Sequence, residues 1–318
     1  MIAPLSLAAF ALAASLFGQR VLAHASWTHR APALGIAAWQ ALTSAIALAV
    51  IFAGVTLALP QLHLTVDLAR LLQACAEELR HQYGTPAGAA LSGSGAVLAA
   101  VMTTRFLTLL ALNWWRSHKD RALHRARLNL VSATETSGAG VTVIDHESPL
   151  VYCLPGRNAR IVVTTAAAEV LSDSEMRGVL AHERAHLQAR HHLAITLAVT
   201  MSNAFFNAPV FRTAVERIKV LAEMHADDAA GMHQRRDLAS ALIHLTGFAT
   251  PAGALGAGGE SAVMRIVRLT GPRDPLSTRA RLSVLISTVG VVLVPVALAL
   301  CPAGLALVID CCNGLANL

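Results

Sequence analysis

The chain has 318 residues, 55% of them hydrophobic and only 14% charged. That balance is far too apolar for an ordinary soluble protein of this length. A formal net charge of +6 raises nucleic acid as a partner. The basic residues, however, are scattered or flank apolar runs without interleaved aromatics, so no direct nucleic-acid binding is expected.

Met1 to Gly18, Ala31 to Val66 and Leu282 to Ile309 carry no Asp, Glu, Lys or Arg. Such stretches predict membrane spans. The first, at about 1–17, has no basic segment before it and reads as a retained span rather than a cleaved signal peptide. The second lies within 31–59, the third within 87–113, and the last runs from about Leu282 to Leu300 with Pro295 inside it. Arg20 and Arg30 separate the first two spans with no acid between them. Arg70 and Arg80 are offset by Asp67, Glu77 and Glu78 in the next connection. Arg116, Lys119, Arg121, Arg125 and Arg127 follow the third span. The positive-inside rule then puts residues 116–281 in the cytoplasm of a multi-pass cell-membrane protein. The excess of arginine over Lys119 and Lys219 points to a GC-rich bacterial genome. Arg105 reads as the end of the third span, snorkelling to the cytoplasmic surface, with an intramembrane cation as the alternative. Trp114 and Trp115 would then belong to an interfacial helix.

The expected architecture is a mainly α multi-span membrane protein. Residues 1–115 form the membrane region with three spans, 116–281 a folded domain, and 282–318 a fourth span and short tail. Within 116–281, Val141–Asp145, Leu150–Leu154 and Arg160–Thr164 alternate as short strands, broken by Pro155-Gly156 and Asn158. An exposed strand beside a cleft holds an extended peptide by edge pairing; a purely structural sheet is the plainer reading. Ser172 and Glu175 fit a capping box that starts a helix.

That helix carries His182, Glu183 and His186, an H-E-x-x-H run. Residues four apart on a helix share one face, so the two imidazoles can bind one Zn²⁺ while Glu183 reaches a zinc-bound water as general base. An ordinary charged helix face competes with this reading until a third ligand is found. Glu223 supplies one, completing a His₂Glu set that leaves a fourth position for water. Asp227, one turn on, is placed to accept from the free ring nitrogen of a ligating histidine. Asp228 reads as surface charge, and His191, His192 and His225 as neighbours rather than ligands. Leu193 to Phe211 is uncharged, yet a true crossing would separate Glu223 from the histidines. Asn203, Asn207 and Pro209 interrupt it, so it reads as a helix packed on the domain, or one dipping into the membrane and returning.

The whole pattern resembles the BlaR-type membrane metallopeptidases, the β-lactam sensor-transducers and their relatives. The resemblance is carried by Tyr152–Gly156, Arg160–Thr164, Ala181–His186, the Asn207/Pro209 bend and Glu223 to Asp227. Membrane proteases that trim prenylated proteins share the H-E-x-x-H and E-x-x-x-D logic. The resemblance implies an α+β gluzincin-type domain on the cytoplasmic side, between spans three and four. It also implies peptide-bond hydrolysis, with a cytoplasmic transcriptional repressor as the protein substrate. Cys301 to Leu318 are too few for a penicillin-binding sensor, so β-lactam sensing is not expected. A housekeeping protease clearing membrane proteins is the alternative. A non-catalytic membrane sensor or scaffold is a third, against which the intact Glu183 counts. Arg279 and Arg281 are weak candidates for stabilising an oxyanion and read better as anchors of the last span. The cysteines read as ordinary buried or tail residues, with a disulfide between Cys75 and the tail as the alternative, and Thr250–Gly259 reads as a mobile connector.

Overall fold

The computed structural model describes residues 2–58, 86–131, 140–156, 159–229, 231, 234–246, 259–272 and 274–316. Cys75, the loop at 250–258 and the tail-cysteine side chains lie outside the described residues; Cys153 is a free thiol.

Among the described residues, four helices are long and apolar enough to cross a membrane. Helix α1, Ile2–Ala23, passes through one π turn at Ala14–Gly18. It outruns the expected 1–17 because Arg20 sits at its end and does not interrupt it. A short turn of helix, α2 (Trp27–Arg30), leads into α3 (Pro32–Ala58). Helix α4 runs unbroken over Pro86–Val131, so Trp114 and Trp115 continue the third span instead of forming a separate helix. Both α3 and α4 start on proline, whose fixed φ and missing N–H suit the first helical position. The two pack closely where glycines face each other. A Cβ on Gly95 would lie 2.4 Å from Leu57 Cβ, and one on Gly54 would lie 2.7 Å from the Gly95 carbonyl oxygen. Small residues let helix backbones approach in this way inside membranes.

Strands β1 (Val141–Ile144), β2 (Val151–Leu154) and β3 (Arg160–Thr164) form one sheet in the order β1-β3-β2. β1 runs parallel to β3 and β2 antiparallel, with Tyr152 opposite Val162. β2 is therefore an outer strand. Helix α5 (Thr165–Val170) follows directly, then α6 (Asp173–Gln188), α7 (His191–Ala204), α8 (Pro209–Ala229), α9 (Arg235–Thr246), α10 (Gly259–Thr270) and α11 (Thr278–Ala316), the fourth span.

The uncharged stretch after the H-E-x-x-H run is a hairpin of α7 and α8. Phe206 and Asn207 take positive φ at its tip, of 53° and 55°. Asparagine tolerates that conformation, and Ser202 supports it by donating to Asn207 Oδ1 at 3.0 Å. The hairpin packs into the spans. Leu7 and Ala11 of α1, Trp39 and Ile46 of α3, Met201 of α7 and Phe211 and Ile218 of α8 share one core. Arg105, in α4, does not end its helix and has protein partners. Its guanidinium donates to the carbonyls of Asn203 (2.9 Å) and Ala204 (3.0 Å) and lies 4.3 Å from the Phe206 ring centre. Those carbonyls end α7 and have no partner within the helix, so the cation meets both their lone pairs and the negative end of the helix dipole.

Candidate metal centre

Helix α6 begins where the sequence predicts. Ser172 Oγ accepts from the Glu175 backbone N–H, and the Glu175 carboxylate accepts from the Ser172 backbone N–H at 2.9 Å, a complete capping box. Val179 fills a core with Leu238 and Ala239 of α9. The helix is thus fixed at its start and along its apolar face before it presents His182, Glu183 and His186.

Helix α8, returning from the hairpin, lays Glu223 across these histidines. His182 Nε2 and His186 Nε2 are 3.1 Å apart, and each is 3.5 Å from a Glu223 carboxylate oxygen. One donor atom from each of the three lies within 4.8 Å of the others, a group able to hold a metal ion. The chemistry of the set fits zinc: two imidazole nitrogens and one carboxylate oxygen, all presented from helices. The outward-facing nitrogens support the fit. His182 Nδ1 is 3.0 Å from Asp227 Oδ1, an ion-pair contact rather than an aligned hydrogen bond. His186 Nδ1 is 2.8 Å from His191 Nδ1, and His191 Nε2 is 2.8 Å from His225 Nδ1. His191 and His225 therefore stand behind the cluster as neighbours.

Electrostatics divide the two histidines. Burial works against a proton on His182, but Asp227 and Glu223 outweigh it and hold its pKa up at about 9. Burial pushes His186 down to about 4 and His191 to about 3. Burial would raise Asp227, yet its close contact with His182 and the bonds from Arg265 bring it to about 2. Glu223 is lowered too, the His182 bond and Arg265 overcoming burial. Glu183 moves the other way: burial raises it, against His182 and a hydrogen bond from Cys153. Cys153, on β2, is itself pushed up by burial and then by Glu183. The outer strand thus touches the candidate base directly.

Two features were not legible. Arg265, on α10, donates to both Asp227 oxygens (Nε–Oδ2 2.9 Å, Nη2–Oδ1 2.7 Å), and its Nη1 lies 2.9 Å from Glu223 Oε2. No motif surrounds it, and the Gly/Ala-rich run before α10 gives no signal of where that helix goes. Asp228 is not plain surface charge: Arg268 donates to it at 2.7 Å, and Arg235 Nη1 stands 3.9 Å away. Arg279 and Arg281 are exposed at the start of the fourth span, as anchors would be.

A helical chain with four candidate spans and a His₂Glu cluster between the third and fourth has the features of a membrane-associated metallopeptidase. Residues 117–254 match the model of Peptidase family M48, which takes in all three cluster residues. Curated relatives are the Protease HtpX homologs of Ralstonia nicotianae, Burkholderia mallei and Burkholderia thailandensis. Each is 43% identical over 67 residues, covering 20% of this chain and 23% of the relative. The matched segment thus spans about a quarter of the relatives' length. These matches support an M48-type membrane metallopeptidase and do not extend to the finer BlaR-type resemblance. No solved structure matches the chain.

Proposed function

We propose that the protein is a zinc-dependent endopeptidase of the bacterial cell membrane that cleaves extended protein segments at the cytoplasmic face. The observation that carries this reading is the convergence of His182, His186 and Glu223 with Glu183 beside them on α6. His182, His186 and Glu223 would hold one Zn²⁺. When bound, zinc polarises a carbonyl and lowers the pKa of a coordinated water. Glu183 takes a proton from the attacking water on its carboxylate and returns it to the leaving amine. Its buried carboxyl, raised above the ordinary range, suits that exchange. Asp227 keeps His182 oriented through Nδ1. Outer strand β2, whose Cys153 reaches Glu183, offers backbone groups to an extended substrate.

Orientation follows from the charges: the basic cluster from Arg116 to Arg127 favours a cytoplasmic domain. For the biological role, clearance of membrane proteins is preferred over cleavage of a repressor. The cluster sits where spans and domain meet, and the matched relatives are HtpX-type proteases rather than sensor-transducers. The deciding experiment is Glu183→Gln in the full chain. Zinc content should stay at one per chain and proteolysis should fall by about 10²–10⁴-fold; undiminished cleavage would sink the mechanism. Full function of the same variant in cells would favour a scaffold. A single repressor accumulating in cells that lack the protein, with membrane proteins unchanged, would reverse the choice of role. A reporter fused near Gly138 should report cytoplasm.

A further inference from the structure

We propose that Arg265 is the positioning residue of this centre, one guanidinium that holds both Glu223 and Asp227 in the orientation the metal site needs. The inference rests on the zinc-peptidase reading above and adds a member from a third helix. Three observations carry it. First, the contacts are forked: Nε and Nη2 grip the two oxygens of Asp227, and Nη1 takes Glu223 Oε2 at 2.9 Å. A planar guanidinium spans two carboxylates in this way, and an ammonium does not. Second, the group is enclosed. Arg265 is 5% exposed and Asp227 fully buried, so the pair is shielded from the water and salt that make surface ion pairs weak. Third, the charges balance. Glu183, Glu223 and Asp227 bring three negative charges to a site for one divalent cation, and Arg265 supplies the remaining positive charge. Its neighbours fix its own place. On the inward face of α10, Ala262 and Leu269 are buried with it, and Arg268 ties the helix to α8 at the Met224 carbonyl and Asp228.

Arg265 acts through other side chains: Glu223 is a ligand, and Asp227 orients His182. Its loss should therefore show in metal binding before chemistry is considered. The test uses the full chain in detergent or nanodiscs, with Arg265→Gln and Arg265→Lys. Zinc affinity is read by chelator competition, and the visible spectrum of the cobalt(II)-loaded protein reports ligand geometry. The expected result is zinc affinity about 10–100-fold weaker for Arg265→Gln, with a changed cobalt spectrum and partial recovery in Arg265→Lys. Wild-type affinity and spectrum in both variants would overturn the proposal. Arg265→Gln leaves Asp227 buried without its partner, a loss large enough to unfold a marginally stable protein. In that case the cycle of Arg265→Lys with Asp227→Asn decides: coupled losses support the assignment, additive ones overturn it. A wild-type chain that takes up no zinc defeats the peptidase reading, and this inference with it. Wild-type uptake with unaffected Arg265 variants defeats this inference alone.

Discussion

His186 can ligate a metal through Nε2 only if its other nitrogen is occupied. Nδ1 is 2.8 Å from His191 Nδ1, and two bare nitrogens would repel at that distance. The arrangement that keeps the Nε2 lone pair free puts the proton on His186 Nδ1, donating to a neutral His191. Burial keeps His191 neutral, holding its pKa near 3. His191 Nε2 then donates to His225 Nδ1, so one hydrogen-bond chain fixes two tautomers. Replacing His191 with Phe keeps the bulk and removes the acceptor. Zinc affinity should fall by about 10–100-fold, as it does when such outer partners are lost. His225→Phe, one step further out, should cost less. Chelator competition measures both, and an unaffected His191→Phe would show that the chain does not set the tautomer.

Among the elements, α6 shows which signals a sequence carries. Its capping box, the i, i+4 spacing of His182 and His186, and the same spacing of Glu223 and Asp227 depend on neighbours within one helical turn, so they could be read directly. The strand alternation at 141–164 is equally local. Arg265 joins the site from 38 residues beyond Asp227, past helix α9 and a Gly/Ala-rich run, and local pattern does not encode such a pairing. Hydropathy alone would call 193–211 a span; the shared ligand set argued otherwise, and the hairpin agrees. The cap itself makes a prediction about pH. Glu175 lies below the ordinary carboxylate range. The bond from Ser240 does most of this, burial opposes it, and Ser172 and His244 add to it. A carboxyl lowered in the folded state stabilises above its unfolded pKa of about 4.3, and that contribution is lost as pH falls through the folded value. Glu175→Gln should therefore cost about 1 kcal/mol at pH 7. The difference in melting temperature from wild type should shrink below about pH 4. A gap that stays constant from pH 7 to pH 3.5 would mean that the carboxylate charge is not what the cap uses.

For the molecule as a whole, the spans and the metal centre are one structure because α8 belongs to both. It starts at Pro209 beside the hairpin tip, packs Phe211 and Ile218 against α1 and α3, and reaches Glu223 about 20 Å further along its axis. Glu223 therefore meets His182 and His186 only if the hairpin is seated correctly against α3 and α4. Arg105 seats it, bonding the last carbonyls of α7 from α4. Among the described residues no other side chain donates to those carbonyls, so losing the guanidinium costs both bonds and leaves the oxygens without a protein partner. Arg105→Leu should lower the melting temperature in detergent and speed proteolytic nicking near Phe206. It should also reduce zinc retention, although Arg105 touches no ligand. Arg105→Lys, which can still reach one carbonyl, should recover part of the loss. Asn113→Ala removes a different contact between the same helices, a 2.9 Å bond to Thr200. It leaves the carbonyls capped and should spare zinc retention. If Arg105→Leu lowers the melting temperature and leaves zinc affinity at the wild-type value, the membrane region and the centre fold independently, and α8 does not link them.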